Sequence, residues 1–394
     1  MNEHLVVVDL GYGDAGKGTV VDWACATLPV HAVVRFNGGA QAGHNVVLDD
    51  GRHHTFAQFG AGTFRGVRTH LSRFVVVDPL ALSAEAEHLA RLGVPDPFGL
   101  LTVDRDCLLA TPYHVEAGRR RELARGAARH GSCGMGVGET MAYHLEHGAL
   151  APRAGDPPRE LTRKLTVLRE TLREALGVEG PPVADCVAVY RAFAERVRLV
   201  DSSYTAGLVG RGPVVFEGAQ GVLLDERQGF DPYTTWSTTT FANALELLDG
   251  AGAARLGVLR TYTTRHGPGP LVTEDPGLEL PEPHNVTGPW QGAFRRGHFD
   301  AVAHRYAAEA AGGVDGLALT HLDADVSRMC VRYDRPVTFA EPDRTARLLR
   351  ATPVYEEGVS DWPAAVSHVV GAPVWLESYG PRARDKKAPW PSLR

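Results

Sequence analysis

The sequence predicts an α/β fold built on a large, mostly parallel sheet, and three observations carry that expectation. A β-branched run, "HLVVVDL", leads into the glycine-rich "GYGDAGKGT", and "GTVVDWACATL" follows with helical potential: strand, loop, helix. Short apolar runs of strand type then alternate with helix-like segments along the chain. One block, 158–207, breaks the alternation and reads as helical. The expected organisation is one α/β domain over 1–394 with 158–207 as an inserted helical subdomain.

The elements follow in order. "HAVVRF" and "RFVVVDP" read as buried strands, and "LALSAEAEHLARLG" after them as a helix. In the insert, "RELTRKLTVLRETLREALG" and "DCVAVYRAFAERVRLV" have helical periodicity, and "VEGPPVAD" separates them. "GPVVFEG", "ARLGVLRTYT", "GLALTHL", "CVRYDR" and "APVWLES" are further strands, with "DAVAHRYAAEAAGG" and "DWPAAVSHVVG" as helices among them. The stretch "DPGLELPEPHNVTGPWQGAFRR" is long, rich in Pro and Gly and without period, so it is a loop with a function or a disordered one.

Composition narrows the class. A chain of 394 residues with net charge −6 is long enough for a substantial core and gives no electrostatic reason to expect nucleic acid or a membrane as partner. The basic run "GRRREL" reads as a solvated helix face. Five widely spaced cysteines form no CxxC pair, which argues against a zinc site and a disulfide framework. No signal-peptide layout opens the chain, and no run of ~18 apolar residues occurs, so a cytoplasmic protein is expected.

Three loops carry candidate chemistry. Gly11 to Lys17 fits the first seven positions of the phosphate-loop pattern, but Gly18 stands where a Ser or Thr hydroxyl should reach magnesium, and an acid, Asp14, sits inside the loop. Its glycines would let N–H groups face phosphate, with Lys17 and a helix N-terminus adding positive charge. The motif by itself also fits an ordinary glycine-rich turn. "RFNGGAQAGHNVV" supplies a second glycine-rich loop with His44, which by itself also fits a structural surface histidine. "VVFEGAQGVLLD" ends a strand and places Gln220 to present an amide into a cleft.

Together, "GDAGKG", "GGAQAGH", "VVVDP", "FEGAQGVLLD", "YTTR", "ALTHLD" and "YEEGVSDW…VGAPVWLESYGP" resemble, in order and spacing, the adenylosuccinate synthetase family, from about residue 5 to residue 382. The resemblance implies GTP and Mg²⁺ as cofactors and small-molecule substrates: GTP phosphorylates the 6-oxygen of IMP, and the amine of aspartate displaces phosphate. Asp14 then matches a general base for the N1 proton that also ligates magnesium, and Gly43 a magnesium ligand through its carbonyl. Gly18 in place of a hydroxyl is normal for the family. Lys17, His44 and Gln220 match the residues that neutralise phosphate and stabilise the 6-oxyanion. Gly13, Gly16, Gly18, Thr19, Gly43 and Asn45 fall on the phosphate side. At the guanine end, Asp323 in "THLD" can accept two guanine N–H bonds, His321 replaces the family lysine, and Ser378 and Gly380 keep a Ser-x-Gly contact. A homodimer is also implied.

Departures from the family gather on the acceptor side. Gln41 replaces an asparagine. The loop for the IMP phosphate reads "GSCGMGVGETMAY": Ser132 is kept as a contact, Cys133 stands for Thr, Met135 for Arg and Glu139 for Pro. No arginine follows until Arg153. Thr235 matches a threonine at that phosphate, and His266 replaces a valine near the ribose. In the amino-acid loop Thr287, Arg295 and Arg296 remain as candidate contacts, but a further arginine has become Gly292 or Ala293. The expected activity is thus a GTP- and Mg²⁺-dependent C–N ligase of adenylosuccinate type. A divergent paralogue with another acceptor or amine is the alternative, and a non-catalytic GTP-binding protein the second.

Overall fold

The computed structural model describes residues 4–285 and 287–388. The chain starts with β1 (His4–Asp9), whose six residues are all buried. Leu5 and Val7 enter one apolar layer and Val6 and Val8 the other, the two-sided burial of a central parallel strand. The glycine loop leads into α1 (Lys17–Thr27), then β2 (Ala32–Arg35), the hairpin β3 (His44–Val47) and β4 (His53–Phe56), and β5 (Arg68–Leu71). Next come β6 (Val76–Val77), α2 (Pro79–Arg91), β7 (Leu101–Asp104) and β8 (Leu108–Leu109). Asp78 caps α2 by accepting from the N–H groups of Leu80 and Ala81, and Pro79 suits its first turn.

Helices α3 (Pro112–Arg125), α4 (Val137–His147), α5 (Pro158–Leu176) and α6 (Val183–Arg196) follow, then β9 (Arg198–Val200) and α7 (Ser203–Val209). The helical portion is therefore wider than 158–207 and differs in kind at its end. It starts at Pro112, and "RVRLV" closes as β9, a strand parallel to β7 at the edge of the main sheet. Its β-branched end pairs with an open sheet edge, which local periodicity does not report. "RFVVVDP" forms only the two-residue β6; the apolar run is buried in a loop.

The second half runs β10 (Val214–Glu217), α8 (Ala242–Leu248), β11 (Ala253–Arg260), β12 (Tyr262–His266), β13 (Phe294–Asp300), α9 (Ala301–Ala310), β14 (Gly316–Thr320), β15 (Arg328–Tyr333), α10 (Arg344–Leu348), β16 (Pro353–Glu357), α11 (Trp362–Val370), β17 (Val374–Ser378) and β18 (Lys386–Lys387). The ten-stranded sheet has the order β18-β17-β14-β11-β1-β10-β2-β5-β7-β9. It is parallel except for β17–β18. A second sheet, β12-β13-β15-β16, stands beside it. One apolar layer packs under α1, α2, α5 and α6, the other under α8, α9 and α11. Among the described residues no helix is long and apolar enough to cross a membrane.

Candidate functional site

The carboxyl ends of β1, β10 and β14 open on one side of the sheet, where ligands bind in parallel α/β folds. There the loops enclose a cleft of about 1080 Å³.

Its floor is organised by a residue that no motif flagged. Asp9 ends β1, is 1% exposed, and accepts from the N–H groups of Gly11, Gly13 and Ala15 at 2.8, 3.3 and 2.9 Å. The Lys17 ammonium completes the set at 3.0 Å and also donates to the Gln220 carbonyl at 2.7 Å. A buried carboxylate with this many donors is stable, and it fixes the loop in one shape. The loop passes through left-handed conformations at Gly13, Asp14 and Gly16. Asp14, at φ 59°, is strained for a non-glycine residue, and strain of this kind persists where the surroundings impose it.

The geometry also accounts for the absent hydroxyl. A Cβ on Gly18 would stand 2.8 Å from His44 Cβ, 2.9 Å from the His44 carbonyl carbon and 3.0 Å from the Asn45 oxygen. The N-terminus of α1 packs directly on β3, so no side chain fits at residue 18.

β3 brings His44 against Glu217, the buried end of β10, with Nδ1 donating to Oε1 at 2.6 Å. Burial, reinforced by the Arg35 charge, lowers the His44 pKa to about 4 against the opposing pull of Glu217. On Glu217 burial pushes upward, but His44 and Arg35 outweigh it and hold the carboxyl below its usual range. The pair is thus a neutral imidazole donating to a carboxylate, with Nε2 left for the cleft.

Among the described residues four cleft-lining side chains carry buried polar atoms with no partner: Gln41 Oε1, His44 Nε2, Gln220 Oε1 and His266 Nδ1. Buried polar groups are nearly always satisfied, so such a concentration marks where a polar ligand belongs. Gln220 is held at φ 57°. Asp14 Oδ2 lies 3.4 Å from His266 Nε2. Burial raises the Asp14 pKa above the ordinary carboxylate range, with His266 and then Lys17 opposing it. A raised carboxylate pKa suits a group that must take a proton near neutral pH.

The structure brings most of the sequence-derived candidates to this cleft. Gly13, Asp14, Gly16, Lys17, Gly18 and Thr19 line one side; Gln41, Gly43, His44 and Asn45 line the next. Thr19 donates to the Pro381 carbonyl at 2.6 Å, and Asn45 Oδ1 accepts from Thr55 and His53. His321, Asp323, Ser378 and Gly380 form one end. Asp323 is exposed there, and burial holds the His321 pKa well below its usual value. Ser132, Cys133, Thr235 and His266 form the other end.

Three candidates do not reach the cleft wall: Thr287, Arg295 and Arg296. Arg295 pairs with Glu274 and donates to the carbonyls of Gly267 and Gly269; Arg296 donates to the Leu280 carbonyl at 2.8 Å. Neighbours on β13 face opposite sides, and each guanidinium finds acceptors in its own loop. "GRRREL" is also more than a solvated face: Arg121 lines the cleft and Arg119 lies 5.2 Å over the Trp290 ring.

Sequence reading missed Asp9, Glu217, Arg260 and Glu282. Arg260 joins Glu282, Tyr262 and His321, and donates to the Asp14 carbonyl at 3.2 Å. Glu282 thereby ties the long Pro/Gly loop to the Asp14 loop. The available signal was an acid ending an apolar strand, as in "VVVDLG" and "VVFEG", where burial demands partners.

A parallel α/β sheet with a phosphate-cradling loop, a buried His–Glu pair and unsatisfied polar groups around one cleft defines a nucleotide-dependent enzyme. The sequence model of the adenylosuccinate synthetase family matches residues 6–372. The chain is 35% identical to the adenylosuccinate synthetase of Acidithiobacillus ferrooxidans, over 97% of this chain and 95% of that one. It is 31% identical to that of Neisseria meningitidis serogroup B, over 97% of each. The fold resembles fully ligated adenylosuccinate synthetase from Plasmodium falciparum, with TM-score 0.84 and 19% identity over 99% of this chain and 100% of that chain. It also resembles succinoaminodeoxyadenylate synthetase of cyanophage S-2L, solved with dGMP and with dATP as energy donor, with TM-score 0.64 and 20% identity over 98% and 95%. The chain belongs to the adenylosuccinate synthetase family. It is a GTP-dependent ligase that forms C–N bonds, in a family that uses GTP and Mg²⁺.

Proposed function

We propose that the cleft activates a lactam oxygen of a purine-type acceptor by phosphorylation and then lets an amine displace the phosphate. The observation that carries this reading is the convergence of Asp14, Lys17, His44 and Gln220 around unsatisfied polar atoms in one cleft. Asp14 takes the ring N–H proton, and the electron pair moves onto the lactam oxygen. That oxygen attacks the γ-phosphorus of GTP, the bond to the β,γ-bridging oxygen breaks, and GDP leaves. The amine then attacks the ring carbon, the C–O bond breaks, phosphate departs and the nitrogen loses a proton. Lys17 and the loop N–H groups face the phosphate chain. His44, oriented by Glu217, faces the transferred group, and the Gln220 amide stabilises the developing oxyanion.

The donor set fits magnesium: the Asp14 carboxylate and the Gly43 carbonyl are hard oxygens that would hold such an ion. A magnesium ion held there would neutralise charge on the transferring phosphoryl group. Asp323, with His321, Ser378 and Gly380, receives guanine. Thr235, Ser132, Cys133, Gln41 and His266 face the acceptor. We place the enzyme in the cytoplasm as a homodimer, a setting that suits five free cysteines.

The test is phosphate release from Mg-GTP across a panel of lactam acceptors and amines, IMP with aspartate first, with mass spectrometry of the product. Release that requires both partners supports the reading. Hydrolysis indifferent to both, or no release with any pair, overturns it.

A further inference from the structure

Behind the cleft wall one guanidinium gathers three of the segments that line it. Arg260 ends β11, is 3% exposed and does not itself line the cleft. One Nη donates to the Asp14 carbonyl at 3.2 Å and to Thr264 Oγ1 at 3.0 Å. The other meets Glu282, the Tyr262 hydroxyl and His321 Nε2, the last at 2.9 Å. Asp14 belongs to the phosphate loop, Glu282 to the long Pro/Gly loop and His321 to the guanine end, and all three line the cleft.

A guanidinium can only donate, so His321 Nε2 accepts and carries no proton. The ring is therefore neutral, and its Nδ1–H donates to Thr320 Oγ1 at 2.8 Å. Burial, with the Arg260 charge second, holds the His321 pKa well below 6.5, in agreement. Thr320 in turn donates to the Ala15 carbonyl at 2.7 Å. Two consecutive carbonyls of the phosphate loop, at Asp14 and Ala15, are thus tied to the guanine end. Asp14 at φ 59° and His321 at φ 57°, both strained for non-glycine residues, flank the same cation.

We propose that Arg260 is a positioning residue for phosphoryl transfer, setting Asp14 in register with the nucleotide-base end and the long loop. This rests on the lactam-activation reading above, in which Asp14 takes the ring proton. Nucleotide binding has other supports. Asp9 holds the phosphate-loop N–H groups and Lys17, and Thr261 Oγ1 holds the His321 carbonyl at 2.7 Å. Glu282 keeps Tyr262 and Asn285 as donors if Arg260 is removed. Loss of Arg260 therefore leaves the nucleotide in place and lets Asp14 drift, and misplacing a reacting group by about 1 Å can cost ~10²-fold in rate.

Phosphate release at saturating Mg-GTP, IMP and aspartate gives kcat, and calorimetric titration of Mg-GDP gives affinity. If wild type does not turn over that pair, the first active pair of the acceptor and amine panel above replaces it. Arg260→Met is expected to lower kcat at least ~10-fold more than it lowers Mg-GDP affinity. Arg260→Lys, one ammonium in place of a fork, is expected to show an excess of at least ~3-fold. An excess short of these values in either variant overturns the inference, because a merely structural role weakens binding and turnover together. If Arg260→Met does not fold, the lysine variant alone decides. Wild-type protein that binds Mg-GDP but releases phosphate with no pair instead overturns the lactam-activation reading, and the inference with it.

Discussion

Asp14 concentrates the argument at the scale of single residues. It is held in a left-handed conformation, its carboxyl is raised by burial, and its carbonyl is fixed by Arg260. Asn tolerates that backbone conformation and keeps the shape without the base. Asp14→Asn is therefore expected to lower turnover by ~10²-fold or more while the melting temperature stays near that of wild type. Steady-state phosphate release within a factor of ten of wild type would remove Asp14 from its role. Asp323 makes a second residue-scale case. Its carboxylate is exposed at the cleft end, beside His321, and Lys386 lies close enough to feel its charge. Accepting from guanine N–H groups should favour GTP over ATP, and Asp323→Asn should cut the GTP:ATP ratio of kcat/KM by ~10-fold or more. An unchanged ratio would assign base recognition elsewhere. Both residues stood out in the sequence through their motifs. Asp9 and Glu217 did not, because an acid at a strand end announces itself only when its burial and donors are known.

The packing of α1 on β3 governs the site at the scale of elements. The sequence shows a phosphate loop with glycine where others carry a hydroxyl; the structure supplies the steric reason, contact of any Cβ with the backbone of His44 and Asn45. Gly18→Ser, which would restore the common P-loop pattern, is thus expected to push β3 away. Overpacking of this kind costs ~1–3 kcal/mol. Displacing His44 from Glu217 should also weaken Mg-GDP binding by ~10-fold or more, since buried pairs lose most when one partner moves. Denaturant unfolding and calorimetry check the two parts, and a Gly18→Ser protein as stable and as tightly binding as wild type would contradict the packing argument. β13 teaches the converse lesson. Arg295 and Arg296 were legible as residues, yet their direction depends on Glu274, Gly267, Gly269 and Leu280, which lie 16 to 28 positions away in sequence.

Buried histidines tie the whole molecule to pH. Burial lowers His70 to about 4, His114 to about 3 and His304 to about 4, and none of the three lines the cleft. Their folded pKa values lie below the ordinary value of 6.5. The unfolded chain therefore binds more protons than the folded one as pH falls from about 6.5 towards 4. The stability they contribute is complete above pH ~6.5 and is lost on acidification through that window. Shifts of this size correspond to roughly 3 kcal/mol at His70 and His304 and roughly 5 kcal/mol at His114, as upper bounds. His70 Nε2 and His114 Nε2 have no partner, so protonation would bury an unsatisfied cation. Melting temperature should accordingly fall by on the order of 10 °C between pH 6.5 and 4.5. A flat profile across that range would show that these rings reach solvent in the folded state.

The sequence by itself determined the α/β class, the order of nearly all its elements and the three loops that carry the chemistry. Those features are local: β-branched runs, helical periodicity and glycine turns are written in neighbouring residues. Tertiary structure decided that β9 joins the main sheet, that Asp9 organises the phosphate loop, and that Glu217 fixes the tautomer of His44. It also decided that Arg121 and Arg125 pair with Glu139 and Glu122 while Arg295 and Arg296 turn aside. Each of these depends on which donor meets which acceptor across distant parts of the chain. A charged side chain has several partners within reach of its sequence, and only the packed fold selects the one that burial makes obligatory.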